Sequence, residues 1–467
     1  MRLSRLLAAA GLSCEQDAEV TYITCDSREV GPGALFAALE GARADGRAYI
    51  AQSIAKGAAA VICKGGGEGD VPIIDTRDPR RTLALLAAEF YGNPARNLTI
   101  VAVTGTKGKT TTASMLWEIF LTAGHKTGLI GTLGAFSVRE KIWDAVNTTP
   151  EPITLQRLLR QMADSGCTHV VMEVSSQAMK LERVAGLRFD AAVFLNLSTD
   201  HIGAGEHESF WEYRHCKAKL FRQCRMAVGN AADPAWPFMA AHIPPGVPTC
   251  TYGPCQSKPG PGLTTLLEMD GERDYRIPMP GAFNGENAMA AIVTARALGI
   301  PDGAVRAGLL KTRVPGRSMV FPTGTDYGVV IDYAHNGASF QSLFSALRER
   351  KPSRILAVFG AGGNRPSVRR EEMARAAAEG ADFAVITEDN PRSESVEDIC
   401  AQISAAMPDL PHVIIPDRRA AIRYALDMAQ AGDIVALLGK GHEEYIEENG
   451  IRRHFSEWEV LKEYFGR

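Results

Sequence analysis

The sequence predicts an α/β protein of three domains, and three observations carry that expectation. The chain has 467 residues, beyond the roughly 250–300 at which a single hydrophobic core stops growing. Strand-like apolar runs alternate with helix-period stretches from residue 98 onward, and again from about residue 316. That order builds a parallel sheet covered by helices. A turn-rich stretch at 91–97 marks a boundary. The expected division is 1–97, a small α/β N-terminal domain; 98–315, a central parallel-sheet domain; and 316–467, a C-terminal Rossmann-like, doubly wound domain.

In chain order, Leu3, Leu6 and Leu7 fit one face of a short helix, and apolar runs at 34–39 and 58–63 suit short strands. Residues 98–103 read as a buried strand. A glycine-bearing turn follows, then a helical pattern over 111–121 that Gly124 is placed to end. Further strands are expected at 169–174 and 190–197, then at 329–333, 355–359, 383–387, 412–415 and 434–438. In a doubly wound sheet the ligand crevice lies at the C-terminal strand ends. Asp332, Arg365, Asp389 and His442 fall there.

A hydrophobic fraction of 45% and a charged fraction of 22% suit a soluble globular protein. A net charge of −3 argues against a nucleic-acid or basic membrane-binding surface. The nine cysteines are odd in number and lack paired C-x-x-C spacing, against a disulfide scaffold or zinc ribbon. Reduced thiols and a cytoplasmic location are the simplest expectation. At the N-terminus, acidic and polar residues follow a short apolar run with no small-residue cleavage site, unlike a secretory signal. No run of about 18 apolar residues occurs, so no membrane insertion is expected.

Chemistry enters at Thr104, Gly105, Thr106, Lys107, Gly108, Lys109, Thr110 and Thr111. A loop of small residues between strand and helix aims backbone N–H groups at phosphate, aided by the helix dipole. Lys109 would reach the outer phosphates and the Thr110 hydroxyl would bind Mg²⁺. The general pattern wants glycine where Val103 stands, so a tight turn with a solvated lysine pair is the competing reading. Glu173 ends an apolar strand and could hold a metal or be a surface carboxylate. His201 and Lys217 follow, residue types more often structural and solvated.

Together these stretches resemble the Mur ligases of peptidoglycan synthesis, most closely the MurE type, over nearly the whole chain. That resemblance implies ATP and Mg²⁺ as cofactors. It also implies an ATP-dependent ligase adding a diamino acid to UDP-N-acetylmuramoyl-L-alanyl-D-glutamate through an acyl phosphate. The Val103 departure matches the family's own loop form. Asp26, Ser27 and Arg28 look like the uridine-nucleotide region, with Arg47 where the family usually has histidine. Asn147, Thr148, Thr149, Ser175 and Arg183 would hold the UDP-sugar peptide. Thr110 and Glu173 would bind one Mg²⁺ and His201 a second, with Lys217 where the family carries a carbamylated lysine. Gln177 and the run 200–207 differ from the commoner family forms and resemble a Gram-positive subgroup.

By the same resemblance, Asn287 would contact adenine, and Arg317 and Asp332 the phosphate and ribose. Asp389, Asn390, Pro391 and Arg392 match the family's mark for meso-2,6-diaminopimelate, whose distal carboxylate an arginine pairs bidentately. Arg365, Gly439 and Glu443 would complete that pocket, Glu443 taking the distal ammonium. The other readings are L-lysine or another diamino acid as acceptor, a related ligase of folylpolyglutamate or cyanophycin type, and a non-catalytic scaffold. The expected partners are these small molecules alone, with a monomer favoured.

Overall fold

Leu3, Leu6 and Leu7 lie buried on the helix Leu3–Ala8, packed against Leu83 and Leu86 of the helix Pro79–Phe90. In the computed structural model, residues 1–41, 44–199, 202–203, 206–269 and 272–467 are described. The chain divides into two compact units, Met1–Gly253 with Ala290–Pro301, and Pro254–Met289 with Asp302–Arg467.

The first unit carries two sheets. A four-stranded parallel sheet runs in the order Tyr22–Thr24, Ala34–Ala37, Ala60–Cys63 and Ile73–Asp75. The helix Pro79–Phe90 follows, with proline in its first turn and the Asp78 carboxylate accepting from the Arg81 N–H. Gly92 and Asn93, both left-handed, turn the chain toward the larger sheet.

That sheet has eight strands in the order Thr249–Tyr252, Ala227–Asn230, Ala191–Phe194, Thr99–Thr104, His169–Glu173, Thr127–Gly131, Gly134–Ser137 and Glu140–Trp143. The first six run parallel, and the last two form an antiparallel meander that the sequence pattern does not announce. The helix Lys109–Thr122 starts two residues before the predicted 111, because Gly108 at φ 84° feeds the loop straight into it. Gly124, at φ 91°, follows its end. The strand expected at 190–197 stops at Phe194. Beyond it, Asn196 leaves the sheet to bond Thr106 and Lys107.

The second unit holds a three-stranded antiparallel sheet, Gln256–Pro259, Thr265–Met269 and Glu272–Ile277. Its main sheet has six strands in the order Met319–Phe321, Gly328–Asp332, Ile434–Leu438, Ile355–Phe359, Phe383–Ile386 and His412–Ile414. The last five are parallel, as predicted, and Met319–Phe321 adds an antiparallel edge. Phe340, Met373 and Ile403 cover one face while Ile422, Leu426 and Leu461 cover the other, so the sheet is doubly wound. The strand of this sheet that comes last in sequence, Ile434–Leu438, lies between its first two parallel strands. Such a reversal of strand order opens a crevice at the C-terminal edge.

Candidate active site

In the first unit the loop at 105–108 is held from several sides. The Thr106 N–H donates to the Asn196 carbonyl (3.0 Å), and the Lys107 N–H to Asn196 Oδ1 (2.9 Å). Thr106 Oγ1 lies 3.0 Å from the Tyr213 hydroxyl. A Cβ on Gly105 would stand 2.9 Å from Leu195 Cβ, so only glycine fits without a shift. Lys109 Nζ donates to the carbonyls of Gly105 (2.8 Å) and Thr106 (3.1 Å). Lys217, only 1% exposed, donates to the same Gly105 carbonyl at 2.9 Å, and its ammonium lies 4.7 Å from the centre of the Tyr213 ring. The two lysines thus converge on one turn, although they stand 108 positions apart in the sequence. Thr111 is buried in the helix's first turn.

Thr110 Oγ1 donates to Glu173 Oε2 at 3.0 Å, and both residues are buried. The other oxygen, Oε1, accepts from the Thr132 N–H at 2.8 Å. A Cβ on Gly131 would overlap the Glu173 carboxylate. A hydroxyl and a carboxylate together are the hard oxygen donors that Mg²⁺ takes, so these two residues fit that ion. Of the other two predicted ligands, Lys217 is described above, and His201, expected on a second ion, lies outside the described residues.

The predicted substrate residues continue from this point. Thr148 Oγ1 lies 3.1 Å from Thr132 Oγ1. Thr149 Oγ1 donates to the Glu173 carbonyl (3.0 Å) and accepts from the Ser175 N–H (3.1 Å). Arg183 donates to the Thr149 carbonyl (3.0 Å) and pairs with Glu151 (2.6 Å). Asn147 is half-buried in the same loop. In the four-stranded sheet's domain, the Ser27 carbonyl accepts from Lys56 (2.8 Å). Nearby, the Arg28 guanidinium holds the Asp26 carboxyl down at about 2. Arg47, in place of the family histidine, pairs with Asp45 at 2.6 Å.

In the second unit Arg365, Asp389, Asn390, Arg392, Gly439 and Glu443 line one cavity of about 120 Å³, with Tyr333, His335, Arg369 and Arg370. Pro391 closes against Gly363, where any Cβ would strike its carbonyl. Arg392 is held at φ 54° and donates to the Gly363 carbonyl at 2.6 Å. Glu443 accepts from the Tyr333 hydroxyl (3.2 Å), Asn390 Nδ2 (2.8 Å) and Lys440 Nζ (2.9 Å). Burial pushes the Glu443 carboxyl up, but Lys440 and Asn390 outweigh it and the net shift is downward. Burial and the Glu443 charge push the Tyr333 phenol up, which keeps it a donor. Burial lowers the His335 imidazole, favouring its neutral form.

Asp332 accepts from the Ser318 N–H (2.6 Å) and hydroxyl (3.1 Å) and from the Ala334 N–H (2.7 Å). Burial still raises its carboxyl, against the Arg317 charge. Arg317 stacks 4.9 Å from the Tyr333 ring centre. Asn287 is buried on the helix Ala282–Ala297, where its Nδ2 donates to Asn284 Oδ1 (3.4 Å).

Sequence reasoning missed Thr132, Lys440 and Arg418. Nothing local singles out Thr132. Lys440 stands inside a stretch that does attract attention, but a lysine between glycines reads as solvated, and burial has no local signal. Arg418, 0% exposed, donates to Glu457 (2.7 Å) and to the carbonyls of Glu388 (2.8 Å) and Leu438 (2.7 Å).

Three family descriptions match the chain: "Mur ligase family, catalytic domain" over 19–91, "Mur ligase middle domain" over 103–295 and "Mur ligase, glutamate ligase domain" over 316–441. A Bacillus licheniformis protein named UDP-N-acetylmuramoyl-L-alanyl-D-glutamate–2,6-diaminopimelate ligase is 37% identical over 490 residues, covering 99% of both chains. One of the same name from Chlorobaculum tepidum is 39% identical over 498 residues, covering 100% of this chain and 97% of the other. A solved structure of a ligase so named aligns with a TM-score of 0.72 at 29% identity, covering 100% of this chain and 99% of that one. The chain therefore belongs to the Mur ligase family, and it is an ATP-dependent ligase of the MurE type.

Proposed function

We propose that this ligase joins meso-2,6-diaminopimelate to the D-glutamate of UDP-N-acetylmuramoyl-L-alanyl-D-glutamate in cytoplasmic peptidoglycan-precursor synthesis. The observation that carries the reading is the single cavity lined by Arg365, Asp389, Asn390, Arg392, Gly439 and Glu443. It presents guanidinium groups and carboxylates together, as an amino acid with a zwitterionic distal end requires. The proposed domains are 1–97 for the UDP-sugar, 98–315 for ATP and 316–467 for the diamino acid.

In this reading the loop at 105–108 and the first turn of its helix bind ATP, with Lys109 on the outer phosphates. Thr110 and Glu173 would hold one Mg²⁺ and His201 a second, with Lys217 as its carbamate among the metal ligands. The ions, when bound, would supply positive charge for the transferring phosphoryl group, beside that of Lys109. Thr148, Thr149, Ser175 and Arg183, with Asn147 and Ser27, hold the UDP-sugar peptide so that its γ-carboxylate takes the γ-phosphoryl of ATP. Asn287, Arg317 and Asp332 serve the adenosine and phosphate end. Glu443 and Arg392 orient the diamino acid. Its amine attacks the acyl carbon and gives up a proton, the C–O bond to phosphate breaks, and the products are an amide, phosphate and the ADP formed in the first step. Most of the rate gain comes from positioning and charge neutralisation.

The test is ADP release with the UDP-dipeptide and each of diaminopimelate and L-lysine. Release that needs both the UDP-dipeptide and diaminopimelate is the expected result. Release without either, or with lysine alone as acceptor, overturns the proposal.

A further inference from the structure

Lys440 is fully buried, and its ammonium sits at the centre of a polar network on the cavity wall. Its Nζ donates to Asn390 Oδ1 (2.9 Å) and Glu443 Oε2 (2.9 Å), and lies 3.4 Å from Asp389 Oδ1. Glycines at φ 104° and 54°, Gly439 and Gly441, flank it and fix its backbone. Asn390 Oδ1 also accepts from the Glu447 N–H (2.9 Å), while its Nδ2 donates to Glu443 (2.8 Å). The carboxamide therefore has one allowed orientation, because a flip would turn its NH₂ onto an ammonium and an N–H.

Charge balance matters as much as geometry. Asp389 and Glu443 bring two negative charges, and Lys440 is the cation that touches both. An unpaired pair of carboxylates on the wall, Asp389 buried and Glu443 half-buried, would draw in the most cationic ligand available. With the ammonium present, the wall tolerates a ligand end that carries its own carboxylate beside Arg392.

We propose that Lys440 is a positioning and specificity-determining residue, orienting Asn390 and Glu443 and setting the wall's charge so that a zwitterionic distal end is preferred to a bare ammonium. This rests on the diaminopimelate reading above. Diaminopimelate and L-lysine differ by that one carboxylate, so their ratio of kcat/KM reads the effect directly.

The experiment compares wild type, Lys440→Met and Glu443→Gln with both amino acids, alongside thermal unfolding and the KM for ATP. In Lys440→Met the diaminopimelate-to-lysine ratio falls on the order of tenfold or more. The loss sits mainly in the KM for diaminopimelate, with the KM for ATP within about twofold. In Glu443→Gln, which removes one of the two negative charges and leaves the ammonium balanced by Asp389 alone, the ratio moves the other way. Opposite signs separate a charge effect from general loosening of the pocket. Should Lys440→Met not fold, the rise in Glu443→Gln carries the test, and a fall there overturns the inference. An unchanged ratio in folded Lys440→Met overturns it too, leaving the functional reading intact. Wild type that ignores diaminopimelate overturns both.

Discussion

Lys217 brings a buried ammonium to the Gly105 carbonyl, one turn from the residues that would hold phosphate. A carbamate at that nitrogen would replace the cation with an oxygen ligand for Mg²⁺. Lys217→Ala is therefore expected to lower kcat by at least about a hundredfold. Short-chain carboxylates should partly restore ADP release, and normal turnover in the variant would refute the role. Arg392 acts at the other substrate. Its strained φ and its bond to Gly363 hold the guanidinium on the cavity wall. Arg392→Lys keeps charge but loses the planar fork. The KM for diaminopimelate should rise about tenfold or more while that for ATP stays level, and unchanged diaminopimelate kinetics would remove Arg392 from the pocket. Both residues were legible only through the motif around them, since neither burial nor partners can be read from a lone lysine or arginine.

The paired strands Thr127–Gly131 and His169–Glu173 set the Glu173 carboxylate against Gly131. Gly131→Ala would push that carboxylate off Thr110, so kcat/KM should fall more than about tenfold. Gly303→Ala, on an open helix surface with nothing within 4 Å, is the matched control and should be silent. The same strand begins at His169, whose ring lies 4.2 Å from that of His125. Burial and the His125 charge lower the His169 imidazole to about 4, against the Asp190 charge. Its folded value lies below the unfolded one near 6.5, so the unfolded chain binds the extra proton. Stability is full above about pH 6.5 and falls toward pH 4, by about 1–2 kcal/mol after allowance for partial exposure. Thermal unfolding of wild type against His169→Gln between pH 7.5 and 5 checks this, and identical slopes would exclude His169 as the cause. The apolar runs of the second unit were readable as strands because parallel strands inside a covered sheet are buried on both faces, with the edge strand His412–Ile414 partly exposed. The meander at 134–143 and the three strands at 256–277 were not, because they mix polar with apolar residues and are shaped by tertiary contacts.

At the scale of the molecule, the order of strands and helices was enough to predict separate α/β domains, and length alone required more than one core. What the sequence could not convey is how distant segments lock one another. Arg418 joins the carbonyls of Glu388 and Leu438, each one residue before the cavity residues Asp389 and Gly439, to Glu457 of the C-terminal helix Glu457–Tyr464. Removing one member leaves a buried charge unpaired, so Arg418→Ala should cost about 3–5 kcal/mol. Replacing both, as Arg418→Met with Glu457→Leu, should recover much of it in denaturant unfolding. A double variant no more stable than the single one would show that the pair itself is not the source. The ion network of Asp389, Lys440, Glu443 and Asn390 also bears on inhibitor chemistry. A neutral, greasy compound placed there would strip water from charges it cannot satisfy. A compound that competes well must carry fixed charges of both signs. Such molecules cross lipid bilayers poorly, so entry into the cell, more than fit to the cavity, becomes the design problem.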